Sequence, residues 1–425
     1  MTQTKTIAFL VTAFPPEVSG SAHFNYARAS WFAEQGYQVI VFAPDWQQAT
    51  DDAIYPTNLI VERYESKPWI PYKMTYVPTL QSAKGISQQI AQYRPDLLVM
   101  TDVERYFLLS AWQLPGRQYA KENDVPYLAE YHTDVYNFSA TYPGWQWLRT
   151  VVRQSRLFNL LYRQFDETIC PSRAAQSSCQ SMGVSNTRVI PFFGTDISTY
   201  SPKRKSRQHL GPWLSNEAQN HTVIGFIGRL GFEKRVDLLI DAFAQLKRSQ
   251  PNCSLLIVGD GPDNVVDSLK RQAQDVPDVH FTGFLMGDRK ADVLASFDFF
   301  CTPSPYETFG LTVVESMASG VPVITVKSGA VAEYLIDGDN AYLVDPNDSA
   351  ALAKKIEYAL QADNTGLIER SLKQADSYSV ERGCQNLCNY YQPLLASDGA
   401  IAKTSDISFE QANTSKSLEN VVKQV

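Results

Sequence analysis

The stretch Glu307-Thr308-Phe309-Gly310-Leu311-Thr312-Val313-Val314-Glu315-Ser316-Met317-Ala318-Ser319-Gly320-Val321-Pro322-Val323-Ile324-Thr325 decides the fold. A Pro-rich turn before it, Thr302-Pro303-Ser304-Pro305-Tyr306, delivers an acid into a Phe-Gly-Leu loop. The pattern predicts a helix from near Leu311 to near Gly320, then an apolar strand from Val321 to Val326. Loop, helix and continuous apolar strand in that order are a piece of βαβ chain. Glu307 then lies in the loop at a helix N-terminus, and Glu315 about one turn inside the helix. Backbone N–H groups at such a terminus favour anionic oxygen, so a phosphate fits there. A carboxylate beside it accepts hydrogen bonds from sugar hydroxyls. Two acids at this spacing are common, and Glu315 read alone is an ordinary solvated helix residue. The surrounding turn, loop and strand single the pair out.

Working outward, short apolar runs alternate with helical patterns. Ile7–Thr12, Gln38–Phe42, Leu97–Thr101, Pro126–Tyr131, Glu167–Ile169 and Arg188–Ile190 read as one series of strands. Val223–Ile227, Ser254–Val258, Val279–Phe281, Phe297–Cys301, Val321–Val326 and Ala341–Leu343 read as a second. Strands alternating with helices mean parallel sheets covered on both faces, and two series mean two doubly wound domains. Pro202–Ser215, with Lys203, Arg204, Lys205, Arg207 and Gly211-Pro212, reads as an exposed linker between them. Ser379–Leu395 reads as a last helix, and the polar chain from Ser397 onward as a tail. The 425 residues suit two domains.

The net charge of −7 argues against nucleic acid as a partner. Residues 1–200 carry 16 Lys+Arg against 17 Asp+Glu, so the acid excess lies in the second half. Six scattered cysteines without zinc spacing read as small core residues and suit a reducing cytosol. No apolar run is long enough to span a bilayer. The apolar start ending at Pro15-Pro16 reads as a first strand rather than a signal peptide.

Three further strings carry chemistry. Gly228-Arg229-Leu230-Gly231-Phe232-Glu233-Lys234 follows a strand, and Arg229 and Lys234 there suit a diphosphate, although a solvated basic turn is the plainer alternative. Gly259-Asp260-Gly261-Pro262 and Gly283-Phe284 follow the next two strands and are, alone, ordinary turns. Glu130-Tyr131-His132-Thr133-Asp134 ends a first-series strand, where open α/β sheets place ligands; a lone His is more often structural.

Taken together these strings resemble the retaining GT-B glycosyltransferases of the large family four group, which use nucleotide-sugars. The resemblance covers about residues 5–395, with Tyr-His-Thr-Asp, Gly-Arg-Leu…Lys and Glu-x7-Glu in order. It implies two Rossmann-like domains facing a cleft: residues 1–201 bind the acceptor, 202–378 bind the donor, a helix at about 379–395 crosses back, and 397–425 is a mobile tail. It implies that Arg229 and Lys234 hold the diphosphate, Glu315 the ribose and Glu307 the donor sugar. Gly20, Gly259, Phe284 and the backbone of Phe309, Gly310 and Leu311 line the donor. His132 supports the reacting sugar through the C6 hydroxyl or through a backbone carbonyl near C1. Asp134, orienting the imidazole or the acceptor, and His23 are acceptor-side candidates. Glu333 matches a family Glu but equally starts a helix. Ser19-Gly20-Ser21 and Ser328-Gly329 depart from the family's double glycine. No Asp-x-Asp string ends a strand, so neither metal nor cofactor is expected.

Pro143 to Phe165 holds Arg149, Arg153, Arg156 and Arg163 on one helical stripe among Trp145, Trp147 and leucines, with no acid. Such a stretch suits an anionic membrane surface, or else a core helix with a solvated basic face. The expectation is a cytoplasmic hexosyltransferase, peripheral to a membrane, acting on a lipid or lipid-linked glycan. The alternatives are a transferase with a soluble sugar acceptor, a nucleotide-sugar epimerase of the same fold, and a non-catalytic binder.

Overall fold

The computed structural model describes residues 4–17, 19–46, 53–68, 76–79, 81–104, 106, 113–134, 137 and 157–396. The tail from residue 397 lies outside them.

The first-series runs form β1 (Thr6–Leu10), β2 (Gln38–Pro44), β3 (Leu59–Tyr64), β6 (Leu97–Thr101), β7 (Tyr127–Glu130), β8 (Glu167–Cys170) and β9 (Thr187–Val189). The small antiparallel pair β4 (Ser66–Pro68) and β5 (Tyr76–Pro78) stands apart. The large sheet is parallel, in the order β3-β2-β1-β6-β7-β8-β9. Phe9 lies opposite both Val41 and Val99, so β1 is buried on both sides at the centre. Helices α1 (Gly20–Glu34), α2 (Ser82–Tyr93), α3 (Arg117–Asn123), α4 (Leu157–Tyr162) and α5 (Arg173–Ser181) accompany it.

The second sheet has the order β12-β11-β10-β13-β14-β15. Its strands are β10 (Thr222–Ile227), β11 (Cys253–Val258), β12 (Val279–Gly283), β13 (Phe299–Thr302), β14 (Val323–Val326) and β15 (Tyr342–Val344). Between and after them run α6 (Val236–Leu246), α7 (Asp263–Ala273), α8 (Gly287–Ala295), α9 (Leu311–Ala318), α10 (Ser349–Gln361), α11 (Thr365–Ala375) and α12 (Val380–Ala396). The strand order reverses between β10 and β13, and ligands of such sheets bind beyond the carboxyl ends of the strands at that point. The loop after β10 carries Lys234 and the loop after β13 carries Glu307. The topology therefore delivers both residues to one crevice.

Two expectations are corrected. Leu59–Tyr64 is a strand that the periodicity does not reveal, because it sits at the sheet edge and mixes Glu62 and Arg63 with apolar residues. The segment 202–215 is no free linker: Leu210 and Leu214 are buried, Arg204 pairs with Asp288 (2.7 Å) and Asp292 (2.8 Å), and Arg207 pairs with Asp298 (2.5 Å). Its arginines are used against α8 and Asp298, so the segment is docked through Arg204, Arg207, Leu210 and Leu214 while Pro202, Lys203, Lys205, Gly211 and Pro212 stay exposed.

The last helix returns to the first sheet. Tyr391 stacks on Phe32 of α1 (5.6 Å between centroids), and Ser379 bridges to Thr195. The approach is close: a Cβ on Gly383 would lie 2.1 Å from the Phe192 carbonyl oxygen. Gly383→Ala should therefore destabilise the protein by about 1–3 kcal/mol through overpacking. Gly85→Ala, on α2 with nothing within 4 Å of the added carbon, should be neutral or slightly stabilising. Urea unfolding followed by circular dichroism compares the two.

Candidate active site

Gly310 begins the donor loop's helix. Its φ is +89°, and a Cβ there would lie 2.7 Å from Val331 Cγ1, so the Phe-Gly-Leu turn requires glycine. Phe309, buried beneath the loop, gives its carbonyl to the Tyr334 hydroxyl (2.9 Å). Leu311 reaches the other domain: a Cβ on Gly20 would lie 3.3 Å from Leu311 Cδ1. Gly329, at φ +65°, lies against the Glu307 backbone, and Ala330 N–H donates to the Glu307 carbonyl (2.9 Å). The one glycine retained at Ser328-Gly329 thus serves the loop that carries Glu307.

Both signature acids are ion-paired. Lys234 Nζ is 2.6 Å from Glu307 Oε1, with both side chains largely buried. Lys290 Nζ is 2.6 Å from Glu315 Oε2. Arg229 donates to Glu233 Oε1 (2.9 Å), whose carboxylate is buried. Arg229 and Lys234 therefore stand at the carboxyl end of β10 with carboxylate partners, not as bare cations. Gly259, at φ +144°, packs where a Cβ would lie 1.8 Å from the Gly228 carbonyl oxygen, and Leu230 N–H donates to Asp260 O (2.8 Å). The Gly-Asp-Gly turn thus props the Arg229 turn. Phe284 projects at the end of β12, 51% exposed.

Across the cleft, His132 follows β7 and its imidazole is buried. Nε2 is 3.0 Å from Glu130 Oε2, while Nδ1 has no hydrogen-bond partner among the described residues. Phe24, Phe192 and Phe193 surround the ring, Phe193 at 4.9 Å. Glu130 also accepts from Arg28 and from the Tyr391 hydroxyl (3.0 Å), all buried. Burial alone raises the Glu130 carboxyl, but the Arg28 charge and the hydrogen bond to His132 outweigh it and bring its pKa down to about 2.

Asp134 does not orient the imidazole. Its oxygens accept from the Tyr131 hydroxyl (3.1 Å), Ser178 Oγ (2.8 Å) and Asn137 (2.7 Å from Nδ2), so it is a local anchor, and Glu130 is the imidazole's partner. His23 is exposed on the first turn of α1. Asp102, at φ +46°, is buried beside these residues and accepts from Thr12 (2.5 Å) and Thr133 (3.2 Å).

The loop 307–310 is tied to the first domain. Thr308 Oγ1 donates to the His132 carbonyl (3.2 Å), and Ser172 Oγ donates to the Thr308 carbonyl (3.0 Å). Glu333 accepts from the N–H groups of Arg173 (3.1 Å) and Ala174 (2.7 Å), capping α5 of the opposite domain. Its role in the structure is an interdomain cap. Phe193 and Phe309 meet at 5.9 Å.

Arg149, Arg153, Arg156, Trp145 and Trp147 lie outside the described residues. Arg163 follows α4 and lines a cavity of about 280 Å³ with Arg117, Lys121 and Asp166. Among the described residues no helix is long and apolar enough to cross a membrane.

Two family models match the two halves of the chain: Glycosyltransferase Family 4 over residues 18–192, and Glycosyl transferases group 1 over 213–375. The chain belongs to the GT-B glycosyltransferases. It is 25% identical over 411 residues to the GDP-mannose-dependent alpha-mannosyltransferase of Corynebacterium glutamicum, spanning 94% of this chain and 91% of that one. It is 26% identical to the alpha-monoglucosyldiacylglycerol synthase of Streptococcus pneumoniae, over 75% and 70% of the respective lengths. Its fold matches that of sucrose-phosphate synthase from Thermosynechococcus elongatus with a TM-score of 0.74, at 20% identity over 92% of this chain and 99% of that one.

Sequence patterns do not reveal several residues of this glycosyltransferase's cleft: Glu130, Arg28 and Tyr391 behind His132, Thr308 and Ser172 between the domains, and Lys290 on Glu315. One signal was available, since Glu130 is an acid at the end of an otherwise apolar strand. Glu130→Ala should destabilise the enzyme by about 3–5 kcal/mol, because it leaves the Arg28 cation buried and unpaired. The Glu130 pKa is lower folded than unfolded, so its contribution is complete above about pH 4.5 and is lost as pH falls toward 2. Unfolding midpoints between pH 2 and 7 should show a shallower acid limb for Glu130→Gln than for wild type.

Proposed function

We infer that this glycosyltransferase moves a hexose from a nucleoside-diphosphate sugar to a lipid or lipid-linked glycan with retention at the anomeric carbon, and without a metal. The observation that carries the reading is the Lys234–Glu307 pair at the sheet's switch point, one residue from the Thr308 bond to the His132 carbonyl. A diphosphate entering there meets Lys234, Arg229 and the N-terminus of α9. Lys234 exchanges Glu307 for phosphate, and Glu307 is freed to accept from hydroxyls of the donor sugar. Glu315 accepts from the ribose. The His132 carbonyl, already turned to the donor loop, lies on the side of the reacting carbon and stabilises positive charge developing there.

Retention needs no protein nucleophile. The glycosidic oxygen leaves with the diphosphate, whose departing oxygen takes the acceptor hydroxyl's proton. The acceptor oxygen then bonds the anomeric carbon on the same face. Arg229, Lys234 and the helix terminus supply the positive charge that this leaving group requires.

The relatives' names support a GDP- or other nucleoside-diphosphate hexose as donor. The name of the diacylglycerol glucoside synthase supports a lipid acceptor. The basic, tryptophan-containing stretch 143–165 supports contact with an anionic surface.

Arg229→Ala and Lys234→Ala should each weaken nucleoside-diphosphate binding about tenfold or more in calorimetry, as expected for charge-assisted phosphate contacts. Unchanged affinity in both would remove the diphosphate assignment. Turnover should persist in EDTA, and nuclear magnetic resonance should show a product with the donor's anomeric configuration. Restoration by magnesium of an activity lost to EDTA would contradict the metal-free reading. The wild type should float with anionic vesicles at low salt and detach as salt rises, and Arg149→Glu with Arg153→Glu should abolish flotation.

A further inference from the structure

We propose that Lys290 is a positioning residue for the donor's ribose, acting through Glu315 together with Tyr200. The proposal rests on the reading that Glu315 faces the nucleoside, and it deepens that reading.

Lys290 stands on α8, and its ammonium is 2.6 Å from Glu315 Oε2; the two side chains are 20% and 9% exposed. An ion pair this far from water fixes the carboxylate's orientation more firmly than a surface pair does. The same ammonium lies 5.6 Å above the Tyr200 ring. Tyr200 lies beside Glu315, and burial with the Glu315 charge pushes its hydroxyl pKa well up, so it stays protonated. The helix that carries Lys290 is itself held, because Arg204 grips both Asp288 and Asp292. Lys290, Tyr200 and Glu315 therefore come from three separate segments locked at one point.

A carboxylate offers about four lone-pair sites. Lys290 takes one of them, on Oε2, and Tyr200 lies beside the group. Two of those that remain match a vicinal diol, so the arrangement selects a ribonucleotide with both its 2′- and 3′-hydroxyls. Without Lys290 the carboxylate is free to turn, and the match to the diol is lost while the diphosphate subsite at Lys234 is untouched.

The test is calorimetric binding of guanosine and uridine diphosphates, their 2′,3′-dideoxy counterparts and inorganic pyrophosphate to wild type, Lys290→Met, Lys290→Arg and Tyr200→Phe. Wild type should prefer the ribonucleotide to the dideoxynucleotide by about tenfold or more, the size expected for charge-assisted hydrogen bonds. Lys290→Met should reduce that preference to below about threefold while pyrophosphate affinity stays within about twofold; Lys290→Arg should restore it and Tyr200→Phe should lie between. If Lys290→Met keeps the full preference, Lys290 does not position Glu315 and the proposal fails while the nucleotide site stands. Equal loss of pyrophosphate and nucleotide binding would assign Lys290 to the phosphates and also overturn it. If wild type itself makes no distinction between ribo and dideoxy ligands, Glu315 is not at the ribose and both readings fall.

Discussion

The donor loop is the constraint on which the site depends. Residues 307–310 are held from both sides of the cleft at once: Lys234 pairs with the Glu307 carboxylate, and Ala330 binds its carbonyl. Thr308 spans to His132 and Ser172, and Gly310 turns the chain into α9 at a φ that excludes a side chain. Each contact is modest, since a hydrogen bond contributes about 1 kcal/mol net. Their number on four residues leaves the loop one conformation while the domains are apposed. Separation of the domains removes the two Thr308 bonds and the Glu333 cap together. The contacts that fix Glu307 itself, to Lys234 and Ala330, lie within the second domain.

Behind the acceptor side lies a different device. Glu130, Arg28 and Tyr391 come from β7, α1 and α12, and they converge, buried, beside the imidazole of His132. A buried charge pair of this kind is weak support for stability and strong support for a single arrangement. It ties the returning helix to the strand end that carries His132. The close passage of Gly383 past Phe192 and of Gly194 past Ser379 explains why that return is made by glycine at both points.

Much of the fold is legible because parallel strands buried on both faces are continuous apolar runs, and all twelve runs lie within two residues of a strand's bounds. The edge strand Leu59–Tyr64 escaped, since half-exposed strands mix charge with apolar residues. The docked segment 202–215 was misread because its arginines look solvated until Asp288, Asp292 and Asp298 are brought beside them by the fold. In the site, the Glu307, Glu315 and Lys234 strings are contiguous and could be read. The partner Lys290 for Glu315 depends on where helix α8 finally lies, whereas Glu130 and His132 share a side of the chain by the two-residue period of an extended strand end. Asp134, two residues after His132, suggests the wrong partner because the chain has left the strand there and Tyr131, Asn137 and Ser178 take its oxygens.

We propose that Glu307 is held by Lys234 until a diphosphate takes the lysine, and that it then acts on the reacting sugar. Steady-state kinetics beside calorimetric donor binding on Glu307→Gln tests it most directly. The substitution frees Lys234 without removing it, so donor affinity should be unchanged or tighter while turnover falls by about a hundredfold or more. A raised Michaelis constant with intact turnover would contradict the claim and leave Glu307 as a binding residue alone.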